Sequence, residues 1–274
     1  MFGQNIIVGK SFFRDVDDKL LVTSRFLTLQ GEGPFQGQPA LFIRLAFCNT
    51  NCSFCDTFFD QGDWFTIQDL LIQSQIMIQD KYGEDWRKCG IVITGGEPSL
   101  QSNIVEFLAR CKVAQLAFLQ IESNGIIPLE LPYGITLVVS PKCSEKTFKY
   151  LTPNEHTLNR ADCLKFIVSV DETSPYHTIP DWAFAWQQET NKPIYISPMN
   201  MYRAEFLQMA RQRVQERKQH NIDFRSTVDE VISGWDDTIL DREKNMKNHM
   251  YAFKYAADNG LFLTLQMHLF GVAA

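Results

Sequence analysis

The chain has 274 residues, 45% hydrophobic and 12% aromatic, enough to bury a full core as one large domain. Its 26 lysines and arginines against 32 aspartates and glutamates leave a formal charge of −6, which argues against the broad basic face nucleic acid needs and favours a small-molecule substrate. The opening MFGQNIIVGKSFFRDVDDKL mixes both signs of charge without a continuous apolar run, and no later stretch is long and apolar enough to span a bilayer, so a cytoplasmic protein with no membrane partner is expected.

No repeat, low-complexity tract or linker divides the chain, so a single domain over 1–274 is expected, with 1–22 as an N-terminal extension. Taken in order, ALFIRLAF (40–47) reads as a buried strand. TIQDLLIQSQIMIQDKY (66–82) follows as a helix with Ile67, Leu70, Leu71 and Ile78 near one face. GIVIT (90–94) is a second strand, and QSNIVEFLARCK (101–112) a helix burying Ile104, Phe107, Leu108 and Cys111. AFLQIES (117–123), ITLVVS (135–140), CLKFIVSV (163–170), PIYISP (193–198) and LFLTLQ (261–266) continue the strand series. MYRAEFLQMARQRVQERKQHN (201–221) and LDREKNMKNHMYAFKYAADNG (240–260) read as two long late helices with solvated charged faces, the second stopped by Asn259-Gly260. Alternating strand and helix predict an α/β fold with a mostly parallel sheet and helices outside it. Periodicity does not choose between an open doubly wound sheet and a partial barrel, but both put reactive loops at the carboxyl ends of the strands.

Three of the seven cysteines crowd into FCNTNCSFCDT as C-x3-C-x2-C, at Cys48, Cys52 and Cys55, on the loop that follows ALFIRLAF. In a reducing compartment such a cluster suggests metal or catalysis, whereas the scattered Cys89, Cys111, Cys143 and Cys163 read as small buried hydrophobes. A structural zinc site would want a fourth ligand, and none of the five histidines lies near in sequence. Zinc is the weaker fit, and the spacing alone leaves it open. A four-iron cubane ordinarily takes four thiolates, so three would leave one iron open for chemistry. ITGGEP (93–98) sets Gly95, Gly96 and Glu97 at the end of the next strand. Standing alone it reads as an ordinary strand-to-helix turn with Glu97 at the helix start. Arg44 interrupts an apolar strand, so an anionic partner is expected: a ligand carboxylate, or a structural ion pair with Glu32 or another acid.

The cysteine spacing with the following GGE resembles the radical S-adenosylmethionine (SAM) superfamily. Further matches, FLTLQGEGPFQGQPALFIRLAFC, CDT (55–57), SPK (140–142) and LTLQMH (263–268), are similar to the 7-carboxy-7-deazaguanine synthase family. The resemblance implies a partial (β/α) barrel with extra late helices, residues 201–249 forming a possible helical insertion, and a radical SAM lyase. Its reaction would convert 6-carboxy-5,6,7,8-tetrahydropterin to 7-carboxy-7-deazaguanine with loss of ammonia, in 7-deazapurine (queuosine-type) biosynthesis. It implies a [4Fe-4S] cluster on Cys48, Cys52 and Cys55, and SAM against Phe54, Asp56, Gly95, Gly96, Glu97, Glu122, Ser140, Pro141 and Lys142, the two glycines letting the ligand approach the backbone. The pterin would meet Leu29, Gln30, Gly31, Glu32, Arg44 and Thr94, and Mg²⁺ would meet Thr57. Without that context, Thr57 would read as a helix N-cap, Gln30 and Glu32 as turn residues and Glu122 as a structural carboxylate. An electron donor such as flavodoxin and a homodimer are further implications. Leu269 stands where the family pattern has lysine after His268. A radical SAM activase acting on a partner protein shares the cysteine spacing, and a catalytically silent cluster protein is the other alternative. LQGEG and CDT favour the pterin enzyme over the first, and the SAM elements argue against the second.

Overall fold

The computed structural model describes residues 6–13, 16–144, 146–203, 208 and 240–266. Among them nine strands form one sheet: β1 (Lys19–Leu29), β2 (Pro39–Leu45), β3 (Asp63–Thr66), β4 (Gly90–Gly95), β5 (Leu119–Ser123), β6 (Thr136–Val139), β7 (Cys163–Val168), β8 (Ile194–Pro198) and β9 (Phe262–Leu263). Their order is β3-β1-β2-β4-β5-β6-β7-β8-β9. β1 runs antiparallel to both β2 and β3, and every pair from β2 to β9 is parallel. Five described helices accompany it: α1 (Ile67–Tyr82), α2 (Ile104–Cys111), α3 (Glu155–Arg160), α4 (Asp181–Thr190) and α5 (Arg242–Asn259). None of the described helices is long and apolar enough to cross a membrane.

Strand periodicity divides the sheet into two faces. Leu41, Ile43, Ile91, Ile93, Leu119, Ile121, Leu137, Leu164, Phe166, Ile194 and Ile196 point to one side, where they join Ile67, Leu70, Ile104, Phe107 and Ala252 of the helices in the main core. The alternate positions Phe42, Arg44, Thr94, Glu122, Lys165 and Ile167 turn to the other side and line a cavity. That inner face is apolar at its lower end, where Ala40, Phe42, Val92 and Phe118 cluster with Phe26 and Phe35. The sheet curls until its far end reaches its beginning: Thr264 Oγ1 and Leu265 N both donate to the carbonyl of Gly31, at 2.7 and 3.2 Å. This is the partial barrel.

Local chemistry sets the boundaries. Thr66 caps α1 by accepting from the amide of Asp69, and Gly260, at φ 65°, ends α5 in the left-handed conformation. Cys89, Cys111, Cys143 and Cys163 are all buried, as small hydrophobes should be. Two expectations shift. The N-terminal extension is shorter than 1–22, because Lys19–Val22 pair with β3 and are part of β1. The closing strand is also shorter than LFLTLQ, spanning only Phe262–Leu263. The helix expected over 201–221, His268 and Leu269 fall outside the described residues, apart from 201–203 and 208.

Candidate active site

The cysteine loop starts where β2 ends and is clamped by backbone bonds. Phe47 adopts φ 65°; its amide donates to the Phe59 carbonyl at 2.7 Å and its carbonyl accepts from Glu97 N at 2.8 Å. Gly96 N donates to Leu45 O at 2.8 Å. A Cβ on Gly96 would lie 1.8 Å from Phe47 O, and one on Gly95, whose φ is 109°, would lie 2.4 Å from Leu45 N. This corrects the expected purpose of the two glycines: their missing side chains make room for the protein's own backbone, letting β4 end tight against the cysteine loop. Both still border the cavity.

Cys48 and Cys52 are buried and Cys55 is partly so, and all three line one cavity with Phe54, Asp56 and Thr57. Thr50 Oγ1 lies 3.4 Å from Cys48 Sγ and 4.0 Å from Cys52 Sγ. Burial, with the nearby Glu97 carboxylate, pushes the Cys48 thiol up to about 11, and burial with Asp56 raises Cys55 as well. Such thiols stay protonated at neutral pH until a cation stabilises the thiolates, as metal binding does. No three His, Cys, Asp or Glu side chains among the described residues converge on a single ion. Cubane ligands need not converge, since each thiolate meets a different iron corner. Three thiols on one cavity-lining loop therefore fit an iron–sulfur cluster with one open iron better than they fit zinc.

Glu97 is 1% exposed. Its Oε1 accepts from Ser99 N (3.0 Å), Ser99 Oγ (2.6 Å) and Ser123 Oγ (2.7 Å), while Oε2 accepts from Asn124 N at 2.7 Å. The ordinary-turn reading thus holds in part, because Glu97 caps the short helix Pro98–Leu100 and ties the ends of β4 and β5 together. Oε2, with one donor, retains acceptor capacity on the cavity side. Asn124 extends the lacing to the cysteine loop through Asn49 Oδ1 at 2.6 Å. Ser140 lines the cavity at the end of β6, and Lys142 Nζ donates to its carbonyl and hydroxyl at 2.7 and 2.6 Å; burial lowers the lysine's proton affinity.

Across the cavity, Glu32 and Glu122 share one cation. Lys165 Nζ lies 2.8 Å from Glu32 Oε2 and 2.6 Å from Glu122 Oε2. Burial raises Glu32 above the usual carboxylate range against the pull of Lys165. For Glu122 the lysine's charge and hydrogen bond outweigh burial and lower it. Glu122 is therefore engaged within the protein. Arg44, 4% exposed, lies over the Phe26 ring at 4.8 Å. The ion pair formed by Glu32 is with Lys165, not with Arg44.

Of the expected residues, Leu29, Gln30, Gly31 and Pro141 do not form the cavity wall. Gln30, expected to read a ligand edge, turns its amide inward: Nε2 donates to Glu122 Oε1 at 3.3 Å and Oε1 accepts from Glu32 N at 3.1 Å. Gly31 offers its carbonyl to Thr264 and Leu265. Thr57 Oγ1 donates to Asp56 Oδ1 at 3.2 Å in a loop where no helix begins, which removes the N-cap reading. Sequence reasoning passed over Lys165, Thr50 and Asn124, and took Gln266 only as part of the closing strand. Gln266 lines the cavity and donates to Asp56 Oδ2 at 3.0 Å. Lys165 carried the same signal that singled out Arg44, one charge in an apolar strand. The space inside the cavity, counted with its open mouth, is about 920 Å³.

A family model described as the radical SAM superfamily matches residues 42–132, from β2 through the cysteine loop to beyond β5. A 7-carboxy-7-deazaguanine synthase of Rhodospirillum rubrum is 35% identical over 183 residues, covering 66% of this chain and 71% of the relative. The synthase of the same name from Rickettsia prowazekii is 29% identical over 271 residues, covering 98% of this chain and 94% of the relative. Among solved structures, the crystal structure of QueE from Escherichia coli matches with a TM-score of 0.56 over 94% of this chain and 98% of that one; at 19% identity the likeness speaks for the fold. On these similarities, and with its thiol-lined cavity at the mouth of a partial barrel, the chain belongs to the 7-carboxy-7-deazaguanine synthase family of the radical SAM superfamily.

Proposed function

We propose that the chain converts 6-carboxy-5,6,7,8-tetrahydropterin to 7-carboxy-7-deazaguanine with loss of ammonia, within 7-deazapurine (queuosine-type) biosynthesis. The observation that carries this reading is a single cavity lined by the three thiols together with Arg44, Glu32 and Lys165. When bound, a [4Fe-4S] cluster and SAM supply a 5′-deoxyadenosyl radical able to take a hydrogen atom from the pterin.

Cys48, Cys52 and Cys55 would hold the cluster, with SAM bound beside it in the same cavity. Glu97 Oε2 accepts from the SAM ammonium, and Glu122, Ser140 and Lys142 line the SAM side with Phe54 and Asp56. Arg44 takes the pterin carboxylate, as the planar cation among the described lining residues that matches it bidentately. Glu32 accepts from the amino-pyrimidinone edge, and Thr94 stands beside it. Gln30 orients both glutamates from behind. The chain's task is to fix one C–H bond against the adenosyl carbon and keep water out. Thr57 adds a neutral oxygen for Mg²⁺, an ion that binds through few protein oxygens and leans on the substrate. A flavodoxin-like electron donor, a homodimer and a cytoplasmic setting complete the proposal.

The test is anaerobic reconstitution with iron and sulfide, then incubation with SAM, reductant, Mg²⁺ and the carboxylated tetrahydropterin, with products read by mass. Wild type should give 7-carboxy-7-deazaguanine and 5′-deoxyadenosine. Cys48→Ala, Cys52→Ala or Cys55→Ala should lose the cluster and both products, while Cys89→Ala keeps them, since Cys89 sits in the core. Protein that takes up stoichiometric zinc and no iron, or cleaves SAM without making the deazaguanine, overturns the proposal.

A further inference from the structure

We infer that Lys165 is a positioning residue that couples SAM and pterin binding by holding Glu32 and Glu122 as one unit. The inference rests on the proposed placement of the pterin at Glu32 and SAM at Glu122. Lys165 is the one charged residue of β7 and is 5% exposed. A buried ammonium is costly unless fully engaged, and this one is: its Nζ bridges Glu32, 133 residues away in sequence, and Glu122, 43 away. The remaining carboxylate oxygens are held too. Glu32 Oε1 accepts from Ser197 Oγ at 3.2 Å, and Glu122 Oε1 accepts from Gln120 and Gln30 at 3.0 and 3.3 Å.

Without Lys165 the two carboxylates face each other with no cation between them, and Gln30, which reaches the Glu122 carboxylate but only the backbone amide of Glu32, does not join the two carboxylates. The two carboxylates hold Lys165 in its charged form against the effect of burial. With it, a shift that one ligand imposes on Glu122 passes through Lys165 to Glu32, so the second ligand meets an acceptor already set for it. Thermodynamic reciprocity requires each ligand to tighten the other by the same factor.

The experiment measures pterin affinity with and without SAM, and SAM affinity with and without pterin, in anaerobic cluster-loaded protein without reductant. Cluster absorbance and circular dichroism verify loading and fold. In wild type each ligand should tighten the other by at least about fivefold, the lower end of typical couplings. In Lys165→Met that factor should fall to near unity, with pterin affinity reduced about tenfold or more. Lys165→Arg keeps the charge on a differently shaped head and should retain part of the coupling. Should Lys165→Met fail to load or fold, Lys165→Arg decides: coupling equal to wild type overturns the inference and reduced coupling supports it. Wild-type protein that turns over the pterin yet shows no coupling, or Lys165→Met with undiminished coupling, overturns the role of Lys165 and leaves the reaction standing. A wild type that neither binds nor converts the pterin removes both.

Discussion

At the scale of single residues, Arg44 carries the sharpest claim about what enters the cavity. Its guanidinium sits on the inner face of β2 over the Phe26 ring, an arrangement that stabilises a desolvated cation and sets the planar head at the cavity wall. Arg44→Gln loses that stacking whether or not a ligand binds, so stability alone does not test its role. Affinity for the carboxylated pterin beside an analogue lacking the carboxylate does. Wild type should prefer the carboxylated ligand by roughly 2–5 kcal/mol, the range seen when one partner of a buried hydrogen-bonded charge pair is truncated. Arg44→Gln should hardly discriminate, Arg44→Lys should recover part of the preference, and SAM should bind all three. Equal discrimination in wild type and Arg44→Gln would mean that another group reads the carboxylate.

At the scale of elements, the segment ahead of β1 acts as a brace on the cysteine loop. Ile7 bridges to Cys48, Val8 N donates to the Cys48 carbonyl at 2.9 Å, and Ile6 N donates to Asp60 Oδ1 at 2.6 Å. Phe12 packs on Phe47 with ring centroids 4.9 Å apart. Val8→Pro deletes one donor to the carbonyl of Cys48, the first of the three proposed cluster ligands. Losing about 1–1.5 kcal/mol at that point should speed cluster decay in the presence of chelator by about fivefold to tenfold. The decay of cluster absorbance measures it, and an unchanged rate would reduce the segment to a surface appendage. This brace was not legible in the sequence, because a short parallel bridge has no periodicity of its own. The parallel strands were legible, since burial on both faces writes ALFIRLAF and CLKFIVSV as near-continuous apolar runs. β1 escaped because it runs through KLLVTSRFLTL with polar residues on both faces, and β3 because DWFT is only four residues long. In the site, Cys48, Cys52, Cys55 and the GGE turn could be read because their spacing is local. Asn124 comes in from the end of nearby β5, and Lys165 and Gln266 reach the same cavity only through the curl of the sheet.

That curl belongs to the whole molecule, and it decides whether the two sides of the cavity face each other. The sheet is held in its partial-barrel shape by contacts between its two ends rather than by strand pairing: Thr264 and Leu265 on the Gly31 carbonyl, Ser197 and Lys165 on Glu32. All four converge on the short LQGEG turn, so the turn that presents Glu32 is also the clasp of the barrel. Thr264 is fully buried, which makes Thr264→Val a nearly isosteric test that removes one hydroxyl donor and leaves the Leu265 amide in place. The lost hydrogen bond should cost about 1 kcal/mol or somewhat more, lowering Tm by about 2–4 °C in a protein of this size. Cluster content should not change, because the cysteine loop leaves the opposite end of β2 and is anchored there by backbone bonds to Phe59 and Glu97. Pterin affinity should fall by more than SAM affinity, since the loosened turn carries Glu32, whereas Glu97 keeps its four donors. Calorimetry together with the two binding measurements tests this. Equal losses for both ligands would mean that the clasp supports the barrel as a whole, and an unchanged pterin affinity would mean that Glu32 is held without it.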